Sequence, residues 1–302
     1  MRDFTPVVER CVARHQGEGD AVRLFHGRGH TYEGYEDVTV DSFPPYLLVS
    51  SYGDDERGVI ALAGLLYDVL PDLEGVCVQL RDGRRTRSQV VRGSVPDRII
   101  ITEGDQRFVV HPTRNQNVGF FLDMAPARRW LRERASDAAV LNLFAFTCAF
   151  SVVAVAAGAR LVVNNDMSRS ALDWGRENHA ENEHDPRCVT MLPHNLFKSW
   201  WKVRKLGPYD VVIIDPPTNQ HGSFNAEKQY GQILKRIPEF TVPGGYVLAC
   251  LNSPFLNTDF IPTQMSRWCP DCVFVEHLPA SPDFPDRFVD RALKVDVFRY
   301  SG

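Results

Sequence analysis

The sequence predicts an α/β fold in which a seven-stranded, mostly parallel sheet follows a small α+β domain. The first observation is an alternation: from about residue 113, apolar runs rich in Val and Ile alternate with helical patterns. This alternation is typical of βαβ units with right-handed crossovers. The second observation is the run 209–214, which ends at Asp215-Pro216-Pro217-Thr218. Neither proline can donate a ladder hydrogen bond, so the strand stops there, at the edge of the sheet where α/β proteins bind ligands.

The small domain, residues 1–112, is predicted from one helical pattern followed by β-like runs. Apolar residues at positions 4, 7, 8 and 11 follow helical spacing, which predicts an amphipathic helix over 3–15. A second helix, 59–70, ends before Pro71, because proline cannot continue a helix. Strands are predicted at 22–25, 38–40, 46–49, 76–80, 98–101 and 107–110. The order is close to strand-strand-helix-strand-strand.

The large domain, residues 113–302, contains the seven-stranded sheet. An Ala- and Val-rich helix is predicted over 148–157, and Ser168, a favourable N-cap residue, begins a second helix that reaches about residue 182. A third helix covers 227–240, and Gly244-Gly245 leads into the fifth strand. The seven strands are predicted at 138–143, 160–163, 188–192, 209–214, 246–251, 273–276 and 294–298.

Composition and charge restrict the possible classes of function. With 302 residues, of which 44% are hydrophobic and 24% charged, the chain has the composition of a soluble globular protein. The charged N-terminus and the short apolar stretch 148–159 fit neither a signal peptide nor a membrane span. Seven scattered cysteines are typical of a reducing compartment, so we expect a cytoplasmic protein. The net charge of −4 means that any RNA-binding surface has to be a local patch.

The first βα turn occupies the usual nucleotide position but lacks glycine. It spans Leu141–Cys148 and fails the Gly-x-Gly-x-x-Gly pattern. Residue by residue it resembles the Asn-Leu-Phe-Ser-Tyr-Thr-Gly turn of the bacterial large-subunit rRNA methyltransferase I/K family, which contains cytosine-C5 and guanine-N7 enzymes. Asn117–Asp123 and Asn165–Ser168 resemble that family's Gly-Leu-Phe-Leu-Asp and Val-Asp-Met-Ser segments. Asp215–Thr218 matches the Asp-Pro-Pro-Thr of the guanine-N7 member, methyltransferase K.

This resemblance covers most of the chain and implies a Rossmann-like class I methyltransferase that uses S-adenosyl-L-methionine and acts on RNA, closest to the methyltransferase K branch. A carboxylate at the tip of the second strand, Asp166, can accept both ribose hydroxyls; the alternative is that it only caps the next helix. Asn195, where the family usually has Asp, can bond the adenine amino group through its carbonyl. We expect the cofactor-binding residues to be Asn117, Phe120, Asp123, Asn142, Phe144, Ala145, Phe146, Thr147, Asp166, Met167, Asn195, Leu196 and Asp215.

The expected catalytic residues are Asp215, Pro216, Pro217 and Thr218, which would hold the flat edge of a base; the alternative is a proline-terminated strand that enters a loop. Cytosine-C5 enzymes of the family use a thiol nucleophile just after the fifth strand. That position is Asn252 here, and Cys250, two residues earlier, is interpreted as a packing residue. Guanine N7 has an in-plane lone pair, so its methylation requires no covalent intermediate, only alignment of the methyl donor with the base. The expected substrate-binding residues are Phe224, Asn252, Arg84 and Arg85.

Two positions depart from the family pattern. Cys148 stands where the family has glycine, which narrows the approach of the backbone to the cofactor. Asn219 replaces a common phenylalanine and removes a stacking surface. These departures keep open the hypothesis of a non-catalytic RNA-binding or assembly factor that has retained the fold. A methyltransferase for another base, a protein or a small molecule is the rival hypothesis within the enzyme class.

Two further patterns leave alternatives open. Residues 81–92 contain five arginines and a single aspartate, which predicts either a clamp for RNA phosphates or a solvated loop. Cys269 and Cys272 have the spacing of metal ligands but lack a second cysteine pair, so no metal is expected. The expected partner is RNA, specifically rRNA, and no membrane; whether the chain forms a homodimer stays open.

Overall fold

The computed structural model describes residues 2–81, 83, 86–114, 116–217 and 224–302. The expected site residues Arg84, Arg85 and Thr218, and the departure at Asn219, lie outside the described residues. The chain forms two compact units, which are Met1–Asp123 with Ser281–Phe288 and Met124–Ala280 with Val289–Gly302.

Within its described residues, the first unit contains two α-helices and seven strands. They are α1 (Thr5–Arg14), β1 (Val22–His26), β2 (Val38–Phe43), β3 (Tyr46–Ser51), α2 (Glu56–Val69), β4 (Gly75–Arg81), β5 (Thr86–Gly93), β6 (Ile99–Glu103) and β7 (Gln106–Val110). The main sheet has the order β1-β2-β3-β4-β5, and β6 pairs with β7 alone. Only β3 and β4 run parallel in this sheet, since α2 connects them as a crossover. Val7 of α1, Leu62 of α2 and Val49 of β3 share one fully buried core.

The boundary between the units lies after Asp123, whereas the sequence places it between residues 112 and 113. The difference has a local cause, because the chain after β7 folds back onto the first unit. The N–H of His111 donates to the carbonyl of Val118 at 2.8 Å. The Phe120 ring packs 4.5 Å from that of Phe108. The segment Ser281–Phe288 also returns to this unit, where the Arg287 N–H donates to Gly29.

Residues 86–92 of the arginine-rich stretch belong to β5, which pairs antiparallel with β4, and Arg87 lies 2.9 Å from the carboxylate of Glu56. Positions 82, 84 and 85 of the stretch lie outside the described residues. As an edge strand, β5 has both faces largely exposed, so it lacks the apolar alternation from which strands are predicted.

The second unit contains the predicted seven-stranded sheet. Its elements are α3 (Ala125–Arg132), β8 (Ala139–Leu143), α4 (Ala149–Ala156), β9 (Leu161–Asp166), α5 (Arg169–Glu181), β10 (Val189–Pro193), α6 (Trp200–Leu206), β11 (Tyr209–Ile214), α7 (Ala226–Leu234), β12 (Thr241–Leu251), α8 (Phe260–Trp268), β13 (Cys272–His277) and β14 (Lys294–Tyr300). The order is β10-β9-β8-β11-β12-β14-β13. The first five strands are parallel, and β14 runs antiparallel to both its neighbours.

This topology confirms the α/β class and fixes where a ligand can bind. The chain moves outward from β8 through β9 to β10, then returns and continues on the other side of β8 with β11 and β12. The crevice beyond the carboxyl ends of the strands at such a reversal is the usual ligand site of open α/β sheets. The helix expected over 227–240 ends at Leu234 and is followed by a 3₁₀ turn, Ile237–Glu239, that contains Pro238. Across the described residues, no helix is both long and apolar enough to span a membrane.

Candidate functional site

The carboxyl ends of four parallel strands meet at one edge of the sheet in the second unit. Leu143, the last residue of β8, lies opposite Asn165 of β9 and Ile214 of β11. Asp166 at the end of β9 lies opposite Pro193 of β10. The segments that follow these residues therefore leave the sheet side by side, and they contain most of the expected cofactor-binding and catalytic residues.

The first of these segments is the glycine-free turn after β8, and its backbone is strained. Phe144, Phe146 and Cys148 have φ angles of 59°, 47° and 63°, a left-handed region that costs about 1–2 kcal/mol for each side chain other than glycine. Hydrogen bonds hold the turn: the Ala145 N–H donates to Asn165 at 3.0 Å, and the Asn178 amide donates to the Thr147 carbonyl at 2.8 Å. Strain held in this way is a frequent property of ligand sites.

Asp166 connects this turn to the next strand. One carboxylate oxygen accepts from the Phe146 N–H at 2.9 Å, and the other accepts from the Ser168 N–H at 2.8 Å. The N-cap of α5 is Ser168, whose hydroxyl accepts from the Ala171 N–H at 3.1 Å. Asp166 is therefore not the N-cap residue itself, and its carboxylate bonds backbone on both the β8 turn and the start of α5. A carboxylate offers about four acceptor positions, so the Asp166 oxygens retain capacity for two ligand hydroxyls.

Asn195 follows β10 and begins a 3₁₀ turn. Its side-chain oxygen accepts from the Phe197 N–H at 2.9 Å, which is a different use from the expected bond to an adenine amino group. The orientation of the amide follows from this contact and leaves its NH₂ group as the available donor. Asn165 fixes the preceding chain, because its amide donates to the carbonyls of Leu192 and His194 at 3.1 and 3.0 Å.

The neighbours of Asp166 and Asn195 differ in exposure. Met167 is 55% exposed, whereas Leu196 is 3% exposed and belongs to the core of the sheet. Of these two expected cofactor-binding residues, Met167 presents a side chain at the surface, and Leu196 supports the turn from below.

The side chain of Asn142, an expected cofactor-binding residue, lies inside the unit. It is 1% exposed, and its amide donates at 2.9 Å to Asn164, whose own amide donates at 2.9 Å to the Ser151 hydroxyl. That hydroxyl lies 2.9 Å from His179 Nε2. Burial, followed by the charge of His184, lowers the pKa of His179 to about 3, so the imidazole is neutral at physiological pH. Asn142 therefore belongs to a buried polar network below the turn.

The side chain of Cys148 faces α5. Its sulfur is fully buried and lies 3.9 Å from the sulfur of Met191. A Cβ at Gly175 of α5 would lie 2.4 Å from this sulfur, so the glycine makes the space that the cysteine occupies. Burial raises the pKa of the Cys148 thiol, and the Asp166 carboxylate acts in the same direction. The side chain is thus accommodated inside the unit, away from the strand ends.

Asp215, Pro216 and Pro217 follow β11 at the same edge. Asp215 and Pro217 are half-buried, and Pro216 is buried. Below them Tyr230 of α7 donates its hydroxyl to the Cys250 carbonyl at 3.0 Å. Burial raises the pKa of Tyr230 well above its usual value, and the nearby Cys250 and Asp215 add to this effect. The end of β11 therefore carries one carboxylate, Asp215, beside a stiff pair of prolines and above a buried, neutral phenol.

Phe224 and Cys250 are core residues. Phe224 is 4% exposed and packs edge-on to Phe144, with ring centroids 5.3 Å apart, so it offers no open face for stacking a base. Cys250 is fully buried among residues such as Leu248 and Val295, which agrees with its interpretation as a packing residue. Asn252, at the expected substrate position, is exposed.

Four residues that support the site were not predicted from the sequence. Asn165, Asn178 and Gly175 support the strand ends as described above. Lys294, 1% exposed, donates its ammonium to the carbonyls of Ser253 and Ala292 at 2.9 and 3.0 Å and so fixes the chain after Asn252. A signal existed for Asn165 alone, because Asn164-Asn165 interrupts an apolar strand, and buried amides need partners.

The remaining three expected cofactor-binding residues lie in the first unit. Asn117 is exposed, Phe120 is buried, and Asp123 is the last residue of the first unit before the boundary.

The thiols of Cys269 and Cys272 lie 3.4 Å apart. Within the part of the chain that the structure describes, no group of three or more His, Cys, Asp or Glu side chains could hold a metal ion.

Comparison with known proteins identifies a matching family. The profile of a family described as S-adenosylmethionine-dependent methyltransferases matches residues 22–299. The ribosomal RNA large subunit methyltransferase I of Klebsiella pneumoniae is 28% identical over 281 residues, which cover 88% of this chain and 70% of the relative. The protein of the same name from Aeromonas salmonicida is 28% identical over 229 residues, which cover 72% of this chain and 57% of the relative. The chain thus spans 57–70% of the length of these relatives.

Solved structures share the fold. A SAM-dependent methyltransferase from Streptococcus mutans matches with a TM-score of 0.85 and 22% identity, over 99% of this chain and 82% of that one. The M. jannaschii tRNA m1G37 methyltransferase matches with a TM-score of 0.62 and 14% identity, over 89% of this chain and 77% of that one.

Proposed function

Because this chain belongs to the family of S-adenosylmethionine-dependent methyltransferases, we propose that it methylates a base of RNA, specifically N7 of a guanine in large-subunit rRNA. The observation that carries this proposal is the position of Asp166. Its carboxylate accepts a hydrogen bond from the Phe146 N–H and so links the ends of β8 and β9. On the other side of β8, β11 leads into Asp215–Pro217. The curated relatives named as rRNA large subunit methyltransferases support the choice of RNA.

The residues at the strand ends fit S-adenosylmethionine, which supplies an electrophilic methyl group when bound. Asp166 keeps acceptor positions for the two ribose hydroxyls, because each of its oxygens accepts only one backbone N–H. The Asn195 amide can donate to an acceptor nitrogen of the adenine ring. The turn 144–147 would lie against the cofactor through its backbone. The cysteine at position 148 does not oppose this fit, since its side chain packs on Gly175.

The Asp215-Pro216-Pro217 segment would hold the target base. Asp215 accepts from the ring N–H or the amino group of the base, and the carbonyl of Pro216 accepts a second donor. Guanine N7 attacks with its in-plane lone pair, so no general base and no covalent intermediate are required, and alignment of the two reactants supplies most of the acceleration. A base within a duplex cannot enter a pocket at a strand end, so the target is an unstacked nucleotide.

A cytosine-C5 reaction is disfavoured by the position of the thiols. That chemistry needs an accessible thiolate, and Cys250 is fully buried with its carbonyl bonded to Tyr230. The exposed position two residues later is Asn252. All seven cysteines are free thiols, which fits a cytoplasmic location.

The test is methyl transfer from labelled S-adenosylmethionine to rRNA, followed by mass spectrometry of the digested nucleosides. We expect the product to be 7-methylguanosine.

Asp215→Asn tests the residue that would hold the base. It keeps the size of the side chain but removes a charged acceptor, so kcat/KM should fall about 10- to 100-fold, since such a bond contributes about 1.5–3 kcal/mol. Cofactor affinity measured by calorimetry should stay nearly unchanged. The control is Asp185→Asn, which breaks an exposed ion pair with Arg187 and should leave activity intact. If Asp215→Asn kept full activity, the proline turn would only end the strand and would not hold the target base.

A further inference from the structure

A short turn in the first unit holds one exposed arginine in a fixed position. Gly27–Gly29 forms a 3₁₀ turn after β1. A Cβ on Gly27 would lie 1.8 Å from the Tyr35 carbonyl oxygen, and a Cβ on Gly29 would lie 1.8 Å from that of Pro285. Only glycine fits at either position, because the turn is pressed between two backbone segments. Arg28 between them is exposed, so a tightly packed turn carries an outward-facing cation.

The guanidinium of Arg28 lies over an aromatic ring that a second arginine shares. Its central carbon is 3.9 Å from the ring centroid of Tyr52, and that of Arg81 is 4.9 Å from the same centroid. Arg81 donates to the side-chain oxygen of Gln79 at 2.6 Å and to the carbonyl of Gln116 at 2.7 Å. Both of these acceptors are neutral, and among the described residues neither Arg28 nor Arg81 forms an ion pair with a carboxylate. Two cations thus share one ring, and no anion within the described part of the chain is bonded to either.

The Asp41 carboxylate near this pair is bonded to a third arginine. It accepts two hydrogen bonds from Arg23, of 2.7 and 2.9 Å. Burial lowers the pKa of Arg81, the Asp41 carboxylate opposes this shift, and the charges of Arg28 and Arg23 add to it. Burial, with the same two neighbours Arg23 and Arg28, also lowers the pKa of His26 to about 3. Burial is the main cause of both shifts, and the neighbouring arginines contribute to each.

We propose that Arg28 and Arg81, held on the Tyr52 ring, bind backbone phosphates of the RNA substrate. This inference rests on the proposed function and names a site on the first unit. A guanidinium is planar, and stacking on a ring fixes the direction in which its N–H groups point. In that arrangement they fit the oxygens of a phosphodiester. The protein carries a net charge of −4, so RNA has to be attracted by a local cluster of this kind and not by the whole surface.

Binding of fluorescein-labelled oligouridylate, measured by anisotropy over a series of salt concentrations, tests the proposal. Arg28→Ala and Arg81→Ala should each weaken binding about tenfold, since a charge-assisted hydrogen bond contributes about 1.5–3 kcal/mol. Each should also make the negative slope of log K against log salt shallower by about 0.7, the value for one phosphate contact on a single strand. Arg28→Lys keeps the charge but not the fork, so it should retain the slope and lose part of the affinity.

Arg10→Ala, on α1 of the same unit, is the matched control for loss of one positive charge and should leave the slope unchanged. Urea midpoints establish that each variant is folded, and Arg81→Gln, which also removes the charge, replaces Arg81→Ala if the latter is not. Wild-type affinity and slope in the folded Arg28→Ala and Arg81→Ala or Arg81→Gln variants, with RNA methylation intact, overturn the phosphate site and leave the proposed function standing. A wild-type protein that binds S-adenosylmethionine but methylates no RNA refutes the proposed function, whereas the slopes still decide the phosphate site.

Discussion

The contact between Cys148 and Gly175 offers a direct test of how the glycine-free turn is built. Gly175→Ala adds a Cβ 2.4 Å from the Cys148 sulfur and 2.9 Å from its Cβ, both far shorter than ordinary contacts of about 3.5–4.0 Å. Rotation of the sulfur would relieve the first contact but not the second. The backbone of the turn or of α5 therefore has to move.

The magnitudes follow from these contacts. Overpacking of a filled core costs about 1–3 kcal/mol, and alanine gains about 1 kcal/mol over glycine within a helix, so Gly175→Ala alone should destabilise the protein by about 0–2 kcal/mol. Cys148→Gly relieves a left-handed φ of 63° but loses a buried side chain. In the double variant the clash is absent, so the helix gain remains. We expect the two changes to be coupled by about 1–3 kcal/mol.

Urea unfolding of the wild type, both single variants and the double variant completes the cycle, with the m-value checked for constancy. Calorimetry with S-adenosylmethionine adds a second measurement: Gly175→Ala should weaken binding because it displaces the turn, and Cys148→Gly in the same chain should restore it. Additive unfolding free energies, within about 0.5 kcal/mol, would show that the cysteine and the glycine do not share one space.

Two further predictions concern groups next to this turn. Asp166→Ala should weaken binding of S-adenosylmethionine by about 2–4 kcal/mol, through loss of two charged hydrogen bonds; calorimetry that finds unchanged affinity would remove Asp166 from the site. His179 has its pKa lowered to about 3, so below pH 6.5 the unfolded chain gains a proton that the folded protein does not. Stability should then fall by about 2 kcal/mol between pH 6.5 and 5, and urea titrations of His179→Gln should show a flatter dependence. An identical pH slope in the variant would contradict the buried neutral imidazole.

The sequence predicts best the elements whose signal is apolar and local. The run 209–214 is buried on both faces and ends at two prolines, so both the strand and its carboxyl end were predictable. The edge strand β5 was not, since arginines and other exposed residues dominate it. The return of Ser281–Phe288 to the first unit depends on contacts such as the pair of Arg14 and Asp283, which are distant in sequence and carry no local pattern.

Within the candidate site, too, the predictable features are those with a local signal. The positions of Asp166 and Asp215 at the carboxyl ends of β9 and β11 were predictable because apolar runs precede them. The partner of the Asn142 side chain could not be predicted, because a polar residue inside a strand gives the same sequence pattern whether it faces a ligand or another buried amide. The structure decides the question by its partner, Asn164, at 2.9 Å. Sequence identifies such a residue as one that needs a hydrogen bond, but only the neighbouring strand shows which group supplies it.

The absence of glycine from the turn also has a physical explanation. Three left-handed residues at about 1–2 kcal/mol each would open an isolated turn of this sequence. Asp166 and Asn178 oppose this opening by binding the Phe146 N–H and the Thr147 carbonyl. The proposed binding edge is therefore formed by the protein's own contacts, and the Asp166 carboxylate that closes the turn keeps further acceptor positions. A position where the resemblance in sequence implies glycine can hold cysteine here, since the required conformation is imposed by partners on α5 and β9 and not by the residue itself.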